Sequence, residues 1–404
     1  MSDNNSPTWA YSVPSTLLLM VPFDLLASLA MDVYLPVVPQ MPAALATSPG
    51  IIQLTLSAYI LILGVGQLLF GPLSDRIGRR PVVLGGAVAY ALASLLLAVA
   101  SSGSQFLLLR VIQALGASAA LVGTFATVRD VYADKPESTT LYGVFSAILA
   151  FVPALGPILG AVVALALGWR AIFVLLGAMA VLALVRAWPR WHETRPVTTS
   201  TQGPRLASIL RNRAFWVYTL GFGTAMGSFF VFFSIAPRVL MAGAGWSQIK
   251  FSLAFSTAAL AMILTTRAIP ACVRRWGIQG CFVRGSCTIA FGAIVLAACA
   301  ASIEPGFVSF VMPMWVMCVG IVLVVSVTAN GALGDFADAA GTAVALYYAI
   351  QSLIVSGLGT LSVLTFNGAT PWPLVAYALV MSTASLAGLA LLRRTSALRP
   401  RSGD

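Results

Sequence analysis

The sequence predicts an all-α polytopic membrane protein built as two six-helix bundles. Three observations predict it. Of 404 residues, 59% are hydrophobic and only 9% charged, against about 25% charged in an average soluble domain. Apolar segments of the length needed to cross a bilayer core, about 20 residues, recur from end to end. They are continuous runs, not the short alternating strands of a membrane barrel. Finally, the widest polar interruption, residues 189–212, separates six such segments from six more.

Twelve spans are expected at residues 15–37, 52–72, 81–100, 105–128, 139–164, 169–189, 214–238, 248–271, 279–300, 307–329, 341–365 and 372–392. Residues 1–189 then form an N-terminal bundle, 190–212 a linker and 213–404 a C-terminal bundle. Met1 to Pro14 carries an acid and no basic residue, and the apolar run after it is too long for a signal core. The first membrane helix is thus expected to do the targeting, with no cleaved signal.

The net charge of +11 is explained by topology. With the N-terminus cytoplasmic, all but four of the 23 Lys and Arg residues fall in or beside cytoplasmic segments. The exceptions are Arg170, Arg238 and Lys250 outside, and Arg110 within a helix. This positive-inside bias predicts a multi-pass membrane protein with both termini and the linker cytoplasmic, and no nucleic-acid partner. The five cysteines form no C-x-x-C pair and His192 is the only histidine, so neither a metal site nor a His-based triad is expected. No G-x-x-x-x-G-K-[ST] loop is present, which argues against ATP drive within the chain.

Four stretches carry chemistry. The first span holds Asp24 and Asp32. A carboxylate near a helix centre costs roughly 2.5–3.5 kcal/mol on insertion scales, so such residues mark proton or substrate pathways. The plainer reading makes Asp32 an interfacial hydrogen-bonding group and Asp24 a packed acid. Between spans 2 and 3, Gly71 to Arg80 reads GPLSDRIGRR. Gly71 and Gly78 allow a tight loop, and Asp75 can meet a basic group or a helix N-terminus. Read plainly, its arginines are topology signals alone. In span 4, Arg110, Gln113 and Ala117 share a helix face. A guanidinium at that depth needs a partner, and Asp32 is the expected one; the alternative is snorkelling to the outer interface. In span 5, Gly156, Pro157 and Gly160 predict a bend and a close helix contact.

Aromatic residues offer weaker signals. Phe230 and Phe233 in the dense run Ser228 to Ser234 are candidates for lining an apolar substrate cavity; Tyr59, Phe151, Tyr347 and Tyr348 are weaker ones. Such residues are as readily core or lipid-facing. Gly331, Asp335 and Asp338 read as surface. The halves also repeat faintly: Arg267 to Gly277, RAIPACVRRWG, stands where GPLSDRIGRRP stands in the first half, without its acid.

These motifs resemble those of the major facilitator superfamily. Gly71 to Arg80 is similar to its G-x-L-a-D-r-x-G-r-k motif, which implies a gate and latch role for Gly71, Asp75, Arg76, Gly78 and Arg80. Arg110 to Gly116 is similar to the R-x-x-q-G motif and implies proton coupling through Arg110, although Ala114 replaces a usual Gly. Gly156 to Gly160 is similar to the antiporter motif G-P-x-x-G-G, with Ala161 in the last place. Asp32 to Pro39 resembles the D-x-Y-L-P-x-x-P signature of the bicyclomycin/chloramphenicol exporter group, and Trp191 to Thr194 resembles W-x-E-T. The resemblance runs from about Trp9 to Arg394. It implies a major facilitator fold with a central cavity and the twelve-span drug:proton antiporter family. The implied activity is export of phenicols, florfenicol and chloramphenicol, by a monomer in a lipid bilayer. The proton gradient would drive it, with no cofactor. Within that reading Asp24 contacts drug and Asp32 switches the proton. A broad multidrug exporter and a proton-driven metabolite uptake symporter share the fold; a membrane enzyme or receptor lacks support in the motifs.

Overall fold

The computed structural model describes residues 9–132, 135–195, 206–336 and 340–397. Asp338, residues 196–205 of the expected linker (Arg205 among them) and both chain ends lie outside the described residues. Among the described residues, 12 helices are long and apolar enough to cross a membrane. They are α1 (Val13–Asp32), α2 (Pro49–Ile77), α3 (Arg79–Ala98), α4 (Gly103–Tyr132), α5 (Glu137–Leu167) and α6 (Arg170–Arg190). The second set is α7 (Arg213–Pro237), α8 (Gln248–Thr266), α9 (Ile269–Ser302), α10 (Met312–Leu333), α11 (Ala340–Leu353) and α12 (Trp372–Ala397). α11 runs on through a π-helical turn into Gly359–Thr365. No strand occurs among the described residues.

Local chemistry sets several helix ends. α1 stops at Asp32 because Pro36 has no N–H and its ring would clash with the Asp32 carbonyl. The chain tightens instead into a 3-10 helix, Leu35–Gln40. Ser48 caps α2, its Oγ accepting from the Ile51 N–H at 3.4 Å, and Asn212 caps α7, its Oδ1 accepting from Phe215 N–H at 3.0 Å. Large apolar side chains such as Leu69, Leu92, Leu155, Leu165, Leu182 and Val380 are exposed. A hydrocarbon solvent tolerates that surface; water does not.

Two compact units result. The first comprises the described residues of 1–202 with 247–256, and the second the described residues of 203–246 with 257–404. In the first, Tyr34, Phe106, Trp169 and Phe173 form an aromatic cluster with ring centroids 5.4–6.2 Å apart. In the second, Phe232 stacks on Phe310 at 5.5 Å and Tyr218 meets Phe282 edge-on at 5.4 Å.

The faint sequence repeat is a backbone repeat. Gly78, between α2 and α3, has φ 106°, and Gly277, inside α9, has φ 66°. Each breaks a helix where an L side chain is strained. Eight residues beyond each break stands a second glycine, Gly86 or Gly285, at a close helix crossing. A Cβ on Gly86 would lie 2.7 Å from the Gly116 carbonyl oxygen, and one on Gly285 would lie 2.8 Å from that of Gly320. Small residues let α3 approach α4, and α9 approach α10, in the same way.

Gly71 departs from expectation. It lies within α2, which continues to Ile77, and a Cβ there would meet nothing within 4 Å. The segment 71–77 is helix, and Gly78 alone makes the turn.

Candidate functional site

Three helices of the first unit grip the main chain of α1 between its two acids. The Tyr59 hydroxyl of α2 donates to the Ala27 carbonyl at 2.8 Å. The Tyr90 hydroxyl of α3 donates to the Leu26 carbonyl at 2.9 Å. Arg110 of α4 donates through Nη1 to the Ala30 carbonyl at 3.2 Å and to Gln113 Oε1 at 2.6 Å. Gln113 passes the chain on to Ser94 Oγ at 2.8 Å, and Ser94 to the Tyr90 carbonyl at 2.7 Å. Ala30 stands in the last turn of α1, where carbonyls have no partner within the helix. The guanidinium therefore caps the negative end of that helix.

Arg110 is fully buried and packs over the rings of Tyr59, at 4.5 Å, and Tyr34, at 5.2 Å. Its expected partnership with Asp32 is not formed. Among the described residues no carboxylate lies within ion-pair distance of Arg110, and its Nε and Nη2 have no hydrogen-bond partner. The reason is geometric: the side chain is turned to the α1 carbonyl, Gln113 and two aromatic faces. It does not snorkel outward either. Asp24 and Asp32 are both buried, at 7% exposure, and Asp24 Oδ2 has no partner among the described residues. Eight residues of continuous helix separate the two by about 12 Å along the axis.

The α5 motif packs on Asp32 itself. A Cβ on Gly156 would lie 2.6 Å from the Asp32 Cβ, and one on Gly160 would collide with the Val33 carbonyl oxygen. Pro157 lies inside α5. Its carbonyl accepts from Ser252 Oγ at 2.9 Å, and the neighbouring Ala154 carbonyl accepts from Ser256 Oγ.

At the α2–α3 turn, the buried cation is Arg79. Its guanidinium donates to Asp75 Oδ1 at 2.5 Å, Ser74 Oγ at 2.7 Å and Asp130 Oδ2 at 2.7 Å. Asp130, at the end of α4, is 5% exposed. The two arginines favoured from the motif hold other places. Both are exposed; Arg80 donates to the Trp188 carbonyl at 3.1 Å, and Arg76 offers its own carbonyl to Arg195. Counting along the motif does not say which of three arginines turns inward; the break at Gly78 decides it.

Glu193 of the W-H-E-T stretch closes this turn. Its carboxylate accepts from the Arg79 N–H at 2.7 Å and the Arg80 N–H at 3.2 Å. An anion thus satisfies the first free N–H groups of α3. A Cβ on Gly78 would strike that carboxylate. Beside it, Trp191 is buried against Trp9 and Phe23 at 5.5 and 5.6 Å.

The aromatic candidates separate. Tyr59 is wholly buried, its hydroxyl taken by α1. Phe151 is 52% exposed. Phe230 and Phe233 are buried in the second unit, where a Cβ on Gly359 would lie 2.7 Å from the Phe230 ring. Tyr90, Ser94, Arg79 and Asp130 escape sequence reasoning. Tyr90 alone left a signal, one turn beyond Gly86 on the same face of α3.

The family profile described as Major Facilitator Superfamily matches residues 24–360. The chain is 47% identical over 400 residues to a chloramphenicol resistance protein of Pseudomonas aeruginosa, covering 99% of this chain and 95% of that one. It is 27% identical over 322 residues to the multidrug resistance protein MdtL of Citrobacter koseri, covering 79% and 81%. It is 32% identical over 247 residues to the uncharacterized MFS-type transporter YdgK of Bacillus subtilis, covering 59% and 61%. With twelve membrane-length helices among its described residues and this match across most of its length, the chain belongs to the Major Facilitator Superfamily: it is a multi-pass membrane transporter.

Proposed function

We propose that the protein is a proton-coupled antiporter that exports phenicols, chloramphenicol and florfenicol, across a bacterial inner membrane, working as a monomer with both termini cytoplasmic. The observation that carries it is the pair of buried acids on α1, gripped through three of its carbonyls by α2, α3 and α4. A carboxylate buried on a membrane helix without a cation partner is costly and marks a proton or substrate pathway. The name of the Pseudomonas aeruginosa relative supports the drug class. The MdtL relative supports a second reading, a broader multidrug exporter.

In this mechanism a proton from outside neutralises Asp32 or Asp24 as drug leaves. Asp32 is the proton switch because it lies against Gly156, beside Pro157 of α5, where any shift of α1 is felt. Arg110 supplies a fixed positive charge at the end of α1 and acts through the helix, without a carboxylate partner. Asp24, with an unpartnered oxygen, is the drug-facing acid. Export of a neutral phenicol against one proton moves one net charge inward, a gain of roughly 2.3 kcal/mol per 100 mV. Alternating access between the two halves delivers the drug.

The test is reconstitution in liposomes with an imposed pH gradient, measuring drug movement and proton movement together. Asp32→Asn should abolish drug-coupled proton flux; Asp24→Asn should weaken drug binding; Arg110→Ala should lower both. Normal coupled flux in all three would overturn the assignment. A panel of unrelated cationic and neutral drugs separates phenicol from multidrug export.

A further inference from the structure

The two copies of the helix-break repeat differ in charge. In the first, Arg79 is neutralised by Asp75 and Asp130, and Glu193 caps the helix beyond the break. In the second, the place three residues before the glycine, Asp75 in the first copy, is taken by Arg274. Arg275 follows it, and then Trp276. Beyond the break, Arg284 is exposed and its guanidinium turns back over the Trp276 ring at 4.7 Å. Arg393, at the end of α12, reaches the same place, donating to Gln279 Oε1 at 3.0 Å. Among the described residues none of Arg274, Arg275, Arg284 and Arg393 forms an ion pair. The described acid at this end of the second unit, Asp335, accepts from Asn212 Nδ2.

We propose that Arg284, on the Trp276 ring, and Arg393, at Gln279, bind the phosphate headgroup of an anionic phospholipid beside Arg274 and Arg275 in the chain. Topology alone accounts for basic residues at a helix end. It does not account for Arg284, about 10 Å along α9 from the break and exposed on a membrane helix, where an uncompensated charge is expensive. Its side chain bends back toward the break, as a snorkelling arginine does, and stops on a tryptophan of the kind found at headgroup level. Guanidinium groups suit phosphate oxygens, which they bind in bidentate fashion. The phosphate always present beside the end of a membrane helix is that of the lipid.

The full chain, reconstituted in vesicles, supplies the test. Brominated phosphatidylglycerol or brominated phosphatidylcholine is the quencher, and the signal is the fluorescence component lost in Trp276→Phe. Phosphatidylglycerol should be enriched at Trp276 about fivefold per engaged arginine, from the usual attraction of one basic side chain to an anionic surface. The preference should fall about twenty-five-fold, two arginines at about fivefold each, in Arg284→Gln/Arg393→Gln. If the double variant does not reconstitute, Arg284→Gln alone, a change at an exposed site, should reduce it about fivefold. Equal quenching by the two lipids in the wild type overturns the proposal and leaves the arginines an orientation role. Reversal by excess inorganic phosphate also overturns it, by assigning the site to the free anion.

Discussion

Replacing Arg79 by Ala should destabilise the first unit by about 3–5 kcal/mol, the usual result of removing one partner from a buried ion pair. Arg79 is 3% exposed and makes three short side-chain bonds, to Asp75, Ser74 and Asp130. Asp75 is half-exposed, at 51%, so water takes over its interactions and its share is small. Asp130 carries the loss. At 5% exposure it would keep only Arg129, 3.7 Å away and itself 59% exposed. A pair of that kind is worth about 0–1 kcal/mol. Arg76→Ala, by contrast, removes an exposed side chain and should stay within about 0.5 kcal/mol. The assay is reversible unfolding by denaturing detergent in mixed micelles, comparing Arg79→Ala, Arg76→Ala and Arg79→Ala/Asp130→Asn. The double variant should recover at least half of the loss, because it removes the stranded charge. Equal destabilisation by Arg79→Ala and Arg76→Ala would refute the reasoning, as would a double variant no better than Arg79→Ala.

Further expectations concern the packing. Gly160→Ala and Gly156→Ala should cut drug transport sharply, since each Cβ strikes α1 at Val33 or Asp32, whereas Gly71→Ala, in open space within a helix, should preserve transport and add about 0.5–1 kcal/mol of stability. Glu193→Ala should lose about 0.5–2 kcal/mol through the uncapped N–H groups of α3, and Glu193→Gln less, because an amide oxygen still accepts; the same unfolding titration checks both. Tyr59→Phe should lose about 1 kcal/mol with its hydrogen bond to Ala27 while leaving the drug KM unchanged, which distinguishes a clamp on α1 from a drug contact.

Much of the architecture was legible in the chain. Length and hydropathy fixed the number of membrane helices, because the thickness of hydrocarbon sets one simple requirement. The ends were less legible: α2 outruns its apolar stretch by about a turn, to Ile77, because helix formation does not stop where hydrophobicity does. Asp24, Asp32 and Arg110 were legible as costly charges in an apolar stretch. Their relationship was not. An arginine and an aspartate in neighbouring helices suggest an ion pair, yet Arg110 has a nearer claim on the Ala30 carbonyl and two tyrosine faces.

By itself the sequence determined the class of the protein, the number of its membrane-length helices and the identity of the charged residues that a membrane helix keeps only for a purpose. These follow from composition and spacing, which obey one-dimensional rules. Tertiary structure alone decided the rest. It chose Arg79 over Arg76 and Arg80, because the positive φ of Gly78 resets the direction of every side chain after it. It joined Glu193 to α3 across more than a hundred residues of chain. It set Gly156 against Asp32, a contact between helices that no spacing along either one encodes.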